Sequence, residues 1–317
     1  MSTTDAAPIA TIQLSRCPSC GHRAGDDAGY RRLPFTYRFA GATFPGGECP
    51  HCGLRGLTVQ PAAHEFSRLY AREYFAGGDV RCGHIGDYFA ERGTLLRDAA
   101  ALVEGALEPA RAPGVAPGRL LELGCASGAV LEAARERGWS VQGVEFSLEA
   151  AAEARGHGLA VFVGGIAEAQ LPDDSFDVAF AGDVLEHVPD PGAVLRELAR
   201  VIAPGGALVL RGPMATHSWA RGLALAAMGA LGRTWWLDEP PYHLWEFTPG
   251  PLRALVAQAG LTVESFTQAK TPPAATRRRG PVAGAVLTAL DAANVAWTRA
   301  TGTRGDRCSL LARRVAP

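Results

Sequence analysis

Lysine is nearly missing from this chain: of 31 basic residues, Lys270 is the single lysine. Alongside abundant alanine, this reads as the codon bias of a GC-rich genome rather than as arginine chemistry. A charge excess of either sign is missing too, since 31 basic against 32 acidic residues leave a net charge of −1. That balance argues against duplex nucleic acid or a ribosomal substrate, which call for a basic face. Long apolar runs are absent. The longest, Gly222 to Gly232 between Arg221 and Arg233, is too short to span a bilayer. Met1 to Gln13 shows neither a basic start nor the apolar run of a secretory signal, so the expected location is cytoplasmic. Disorder is excluded by a hydrophobic content of 47%, and 317 residues allow about two domains with a sizeable core.

What is present begins with seven cysteines, which in a cytoplasmic chain point to metal or free thiols rather than disulfides. Four form Cys17-Pro-Ser-Cys20 and Cys49-Pro-His-Cys52, with 28 residues between the pairs and Gly21 or Gly53 after each. Glycine there suits a tight knuckle that aims two thiolates at one ion, and four thiolates make a closed tetrahedral Zn²⁺ site with no open position. Such a zinc is structural. His22 and His51 are competing ligands, but the four cysteines already fill the shell. Cys82, Cys125 and Cys308 are unpaired by pattern and read as packing residues.

Three regions follow. Residues 1–60 read as the zinc ribbon, with short strands at Tyr30 to Phe39 and Gly41 to Phe44. Residues 61–112 read as a helical connector or lid: Phe66, Leu69, Tyr70 and Tyr74 fall at helical spacing, Gly77-Gly78 breaks the run, and Asp87 to Leu107 continues it. Residues 113–317 alternate strand, loop and helix, the pattern of a parallel sheet with helices on both faces. Helical insertions are expected at about 213–236 and 281–299, the first a helix from Trp219 to Trp236. Ser147 and Asp190-Pro191 are helix starts, Leu208 to Arg211 is the fifth strand, and Arg307 to Arg314 is the last. The run Arg277-Arg-Arg279 reads as a solvated loop.

The most informative stretch is Arg119-Leu-Leu-Glu-Leu-Gly-Cys-Ala-Ser-Gly128. A buried strand runs through an acid into a glycine-bearing loop that opens a helix, the arrangement that lets backbone approach an adenosine cofactor. Val141-Gln-Gly-Val-Glu145 places a second carboxylate 21 residues after Gly124. Then come Leu171-Pro-Asp-Asp-Ser-Phe-Asp-Val-Ala-Phe180, Asp183-Val-Leu-Glu-His-Val-Pro189 and Leu198-Ala-Arg-Val-Ile-Ala-Pro-Gly-Gly206. A dinucleotide enzyme would want a glycine near Ala126 or Ala129, and neither is there.

Together these segments resemble the class I S-adenosylmethionine-dependent methyltransferases over roughly residues 115–270. The resemblance implies an α/β fold: a Rossmann-like seven-stranded sheet with helices on both faces, here preceded by a small zinc-ribbon domain. It also implies a cofactor cradle. The N–H groups of Gly124, Cys125, Ala126 and Gly128 would face the methionine carboxylate at a helix N-terminus. Glu122 would anchor the loop or meet the ammonium through water, and Glu145, with Phe146 beside it, would take the ribose hydroxyls. Gly165 stands where the family often has an acid for the adenine amino group, which leaves adenine to the backbone of Ile166 and Ala167. Asp183 completes the cofactor set.

The acceptor side offers His187, after the fourth strand, and His243, within Pro241-Tyr-His-Leu-Trp-Glu-Phe-Thr248, which resembles the acceptor-side stretch of small-molecule methyltransferases. His217 is a weaker third. Either of the first two would serve as general base. Asp183, Glu186 and His187 also stand at helical spacing and resemble the divalent-metal site of ubiquinone-type O-methyltransferases. Mg²⁺ there is the less favoured reading. Trp219, Trp235, Trp236, Trp245 and Phe247 suggest an aromatic acceptor pocket. The leading expectation is O-methylation of a small molecule or a sugar or glycan metabolite, as in polysaccharide and natural-product pathways. An RNA methyltransferase docking through the ribbon and a catalytically silent scaffold are the alternatives. Oligomeric state is not legible.

Overall fold

The computed structural model of the chain describes residues 8–23, 29–75, 87–111, 118–215, 219–270 and 281–315. Gly77-Gly78, Cys82, His217 and Arg277 to Arg279 lie outside the described residues. Two units account for the chain. One comprises Met1–Pro61, Arg211–Ala254 and Ser265–Ser309, the other Ala62–Leu210, Leu255–Glu264 and Leu310–Pro317. The strands are β1 (Thr11–Gln13), β2 (Arg31–Phe39), β3 (Ala42–Glu48), β4 (Arg55–Leu57), β5 (Val59–Pro61), β6 (Arg119–Leu123) and β7 (Ser140–Glu145). They continue as β8 (Val161–Val163), β9 (Phe176–Gly182), β10 (Ile202–Pro213), β11 (Trp235–Leu237), β12 (Trp245–Glu246), β13 (Leu261–Ala269) and β14 (Arg307–Arg314).

A seven-stranded sheet runs in the order β13-β14-β10-β9-β6-β7-β8, and β6 to β9 lie wholly in the second unit. β6 pairs in parallel with both β7 and β9, so the strand order reverses at β6, where open α/β sheets bind their ligands. Leu120 to Leu123 are buried without a break, which is what burial of both faces of a parallel strand requires. On one face, Leu120, Val178 and Phe180 pack with Leu102, Val103 and Leu107 of the connector and with Ala133 and Ala134. Helices Leu148–Gly156 and Pro191–Val201 start where the caps predict: the Ser147 hydroxyl accepts from Ala150 N–H at 3.4 Å and the Asp190 carboxylate from Ala193 N–H at 2.8 Å.

Three elements differ from expectation. The helix read from Asp87 begins only at Arg92, because the Asp87 side chain accepts from Phe89 and Ala90 N–H and holds a turn that competes with the helix. The fifth strand is not four residues but twelve. Pro204-Gly-Gly206 has the composition of a helix end, yet the helix before it stops at Val201 and Ile202 already enters the strand. The helix expected to reach Trp236 ends at Ala230. Gly232, at φ 62°, turns the chain, and Trp235-Trp236 form a strand, as adjacent aromatics favour.

In the first unit, a five-stranded sheet runs β11-β2-β3-β4-β12. Its centre is the ribbon hairpin β2–β3 with β4. Its two edges come from residues some two hundred positions later: β11 lies parallel to β2 and β12 antiparallel to β4. No helix among the described residues is long and apolar enough to cross a membrane.

Candidate cofactor site and metal centre

β6 delivers Glu122 into the loop 124–128, which opens helix Ala129–Glu136. Gly124 has φ 72° and a Cβ there would meet Val184 Cγ2 at 2.4 Å, while at Gly128, φ 81°, it would meet Leu159 Cδ1 at 2.3 Å. Only glycine fits either place. Ala126 adopts φ 44°, a left-handed geometry that glycine takes most easily. Its N–H donates to Glu145 Oε2 at 2.8 Å, and Ser147 N–H donates to Glu145 Oε1 at 2.8 Å. Glu145 therefore clamps the glycine loop to the end of β7. Burial pushes its carboxyl up, and the N–H groups of Ser147 and Ala126 pull it back. Cys125 is buried beside these acids and its thiol is pushed far up by that burial, which makes it a packing residue. Phe146 is 46% exposed next to Glu145. Arg92 reaches the same loop, donating to Ser127 O at 3.2 Å and pairing with Glu132.

Glu122 is buried, and its Oε2 has no hydrogen-bond partner among the described residues. Burial first, and the neighbouring Glu145 second, raise its pKa well above the usual carboxylate range. Two neighbouring buried acids, one of them with an oxygen unpartnered among the described residues, are the chemistry that a ligand bringing positive charge and hydroxyls would suit. A raised carboxyl binds its proton more tightly when folded than when unfolded. Its contribution to stability is thus full below the unfolded value and is lost as pH rises toward the folded one. The ligand-free protein is expected to melt at lower temperature as pH rises above about 4.3, and Glu122→Gln to flatten that slope. An unchanged slope in Glu122→Gln, followed by calorimetry, would overturn the assignment.

At the end of β8, where Gly165 carries no side chain, an acid three residues on folds back. Gly165 N–H donates to Glu168 Oε2 at 2.9 Å, and Gly164, at φ 138°, leaves no room for a Cβ against that same oxygen, at 2.5 Å. Ile166 is buried and Ala167 exposed. Sequence reasoning looked for the acid at position 165 and passed over the one three residues on. The turn that folds Glu168 back was the signal.

Past β9, Asp183 takes φ 55° and residues 185–187 form a turn closed by His187 N–H to Val184 O at 2.9 Å. The helical face expected to join Asp183, Glu186 and His187 does not form, because a left-handed residue breaks the 3.6-residue period. His187 Nδ1 shares a 2.8 Å hydrogen bond with the Tyr70 hydroxyl, and Tyr74 stands edge-on to the same ring at 6.4 Å. Glu186 Oε1 lies 3.7 Å from Nε2. Tyr70 entered the reading only as a helix-spaced aromatic; its contact with a residue 117 positions away leaves no mark in sequence.

In the first unit, His243 lies between β11 and β12, next to buried Tyr242. The expected aromatic pocket is divided. Trp245 and Phe247 are buried, whereas Trp235 and Trp236 are exposed on an edge strand, with the Arg38 guanidinium 4.9 Å from the Trp236 ring. Trp219 instead meets Trp297, at 6.2 Å between rings.

The four expected cysteines do converge: their sulfurs lie within 4.8 Å of one another, and neither histidine joins them. Cys17 Sγ is 3.6 Å from Cys52 Sγ, and Cys20 Sγ 3.6 Å from Cys49 Sγ. Gly21 N–H bonds to Cys17 O at 2.9 Å and Gly53 N–H to Cys49 O at 3.0 Å, both glycines at positive φ. The knuckles are thus formed as their spacing predicts. His22 and His51 stack on each other at 4.5 Å beside the cluster. Hydrogen bonding between Cys17 and Cys52 pushes the first thiol up and holds the second down.

Residues 94–265 match the model of a methyltransferase domain. The ubiquinone biosynthesis O-methyltransferase of Xanthomonas oryzae pv. oryzae is 32% identical over 161 residues, 48% of this chain and 66% of that protein. The Pseudomonas aeruginosa protein of the same name is 38% identical over 104 residues, 31% of this chain and 45% of that one. The chain therefore spans between about half and two thirds of these relatives. Among solved structures, a SAM-dependent methyltransferase from Archaeoglobus fulgidus aligns with TM-score 0.49 and 17% identity, over 71% of this chain and 99% of that one. With the family model covering more than half its length and the strand order reversing at the glycine loop, the chain belongs to the class I S-adenosylmethionine-dependent methyltransferases.

Proposed function

We propose that this protein moves the methyl group of S-adenosylmethionine to an oxygen of a small molecule or sugar-type metabolite. The observation that carries the reading is His187 at the carboxyl end of β9, held through Nδ1 by the Tyr70 hydroxyl at 2.8 Å. A ring fixed through one nitrogen presents the other in a defined tautomer, which an oxygen acceptor needs and a purely positional transfer does not. The relatives named above as O-methyltransferases support the same acceptor atom. The cofactor supplies an electrophilic methyl group. Glu122 balances the charge of its amino acid end and Glu145 accepts from the ribose hydroxyls, whereas the N–H groups of Gly124, Cys125, Ala126 and Gly128, expected to take its carboxylate, are already bonded to Val144 O, Glu145 and Cys125 O. His243, from its place in Pro241-Tyr-His-Leu-Trp-Glu-Phe-Thr248, takes the acceptor's proton with the help of the loop that holds the oriented His187; His187 as the base itself is the other assignment. Mg²⁺ at Asp183, Glu186 and His187 is disfavoured, because their common face is not formed.

Glu168 is the proposed partner of the adenine amino group, with the backbone of Ile166 and Ala167. Wild-type protein should then bind S-adenosylhomocysteine at least about tenfold more tightly than its inosine analogue, whose 6-oxygen meets the carboxylate. Glu168→Gln should narrow that ratio. An equal ratio in both proteins, by calorimetry, would remove Glu168 from the site.

The four-cysteine centre is proposed as structural zinc. A tetrahedron with Zn–S arms of about 2.3 Å has sulfur–sulfur edges of about 3.8 Å, close to the 3.6 Å separations here. The function itself is tested with methyl-labelled cofactor against phenols, catechols and sugar nucleotides. Label in an alkali-stable methyl ether supports it, whereas label only on nitrogen, carbon or RNA refutes it.

A further inference from the structure

The ribbon sheet has its two edge strands from one short segment. β11 sits on the β2 edge and β12 on the β4 edge, so the chain from Leu237 to Trp245 must pass across the whole sheet. Four strand spacings of about 4.8 Å make that crossing about 19 Å. Eight residue steps reach at most about 29 Å when fully extended. The crossing therefore has little chain to spare; it bends once, where Tyr242 N–H bonds to Pro240 O at 3.0 Å, and Pro240-Pro241 stiffen it. β11 runs parallel to β2 and β12 antiparallel to β4. The chain thus leaves β11 toward, and enters β12 from, the end of the sheet where β2 turns into β3. It carries Tyr242 and His243.

Both ends of this strap are tied to the ribbon. At the first, Arg38 donates to both oxygens of Asp238, at 2.7 and 3.0 Å, and lies over the Trp236 ring. At the second, Leu57 N–H bonds to Leu244 O at 2.9 Å, and Trp245 and Glu246 pair with Gly56 and Arg55. The fit is close enough that a Cβ on Gly56 would lie 2.4 Å from the Trp245 ring and 2.6 Å from Leu244 O. β4 is only three residues long and follows the Cys49–Cys52 knuckle directly. The knuckle closes onto its approach through Cys49 N–H to Leu54 O at 2.8 Å, and Glu48, next to Cys49, pairs with Arg55 at 2.6 Å. A ribbon this small depends on its metal for a fold.

We infer that the four-cysteine centre is the footing of the strap: through β4 it holds the Tyr242–His243 segment in place, so that metal loss loosens the acceptor-side segment and spares the cofactor loop. This rests on the proposed metal reading and not on His243 being the base. The ribbon is then part of the catalytic apparatus rather than a separate docking module, since both edges of its sheet are built from the candidate acceptor-side segment.

Hydrogen exchange by mass spectrometry on the full-length protein tests it. In Cys49→Ser, or after a chelator has removed the metal as checked by elemental analysis, peptides over 31–57 and 235–247 should exchange together, at least about tenfold faster. Peptides over 119–145, and the affinity for S-adenosylhomocysteine, should stay as they were. Gly56→Ala should loosen 242–247 with the metal still bound, and this arm decides even if the ribbon variant unfolds. Continued protection of 235–247 after metal loss, or of 242–247 in Gly56→Ala, overturns the inference. So does opening of 119–145 along with the ribbon. No arm reads turnover, so failure of the base assignment, seen as full activity in His243→Ala, is a separate result.

Discussion

Alanine in place of His243 is expected to slow methyl transfer by at least about a hundredfold while cofactor affinity stays within twofold. A positioned base contributes about 10²–10⁴ in rate, and an oxygen acceptor must lose its proton as the carbon–oxygen bond forms. His187→Ala is the matched comparison. Its ring is tied to Tyr70 through Nδ1, so Tyr70→Phe should reproduce part of the His187 loss by releasing the ring, whereas it should leave the His243 effect unchanged. If His187 gives the larger loss and added Mg²⁺ accelerates the wild type, the metal reading displaces the base reading. Turnover of the three variants, with and without chelator, separates these cases. Near-normal, chelator-insensitive rates in both histidine variants would mean that neither carries the proton and that positioning alone drives transfer.

Glu145→Ala is expected to weaken S-adenosylhomocysteine binding by well over tenfold in a protein that remains folded. A charge-assisted hydrogen bond to a buried carboxylate is worth about 1.5–3 kcal/mol, and this one does two jobs. It accepts from Ala126 and Ser147 N–H at 2.8 Å each, and in the proposed site its remaining lone pairs would take the ribose hydroxyls. Removing it takes away the ribose acceptor and also unclamps the glycine loop, at a residue already held at φ 44°. Glu145→Gln keeps one oxygen and should fall in between. Because Glu145 also raises the proton affinity of Glu122, the alanine variant should bring the Glu122 carboxyl back toward its ordinary range and shrink the pH dependence of melting. Unchanged affinity in folded Glu145→Ala, by calorimetry, would show that the ribose lies elsewhere.

Much of this was local in sequence and could be read there. The β6 strand, its glycine loop and the acid ending β7 are dictated by burial and by backbone geometry within a few residues. So are the helix caps at Ser147 and Asp190 and the two Cys-x-x-Cys-Gly knuckles, because each depends on hydrogen bonds between near neighbours. Where local signals competed, the reading failed. The Asp87 side chain captured its own backbone and delayed a helix, and Pro204-Gly-Gly206 hid the start of a long strand.

The sequence alone determined the class of fold, the glycine loop after β6 and the set of four thiols, since hydrophobic period, glycine conformation and ligand spacing are short-range properties. Only the tertiary structure decided that Tyr70 holds His187, that Glu168 folds back onto Gly165, and that the ribbon sheet takes both its edges from the segment carrying His243. The first and last of these join residues more than a hundred positions apart, and the second depends on a turn folding a side chain back onto Gly165 N–H. Such pairings are set by which sheet edges remain unpaired and which side chains packing brings within reach, and no periodicity along the chain encodes them.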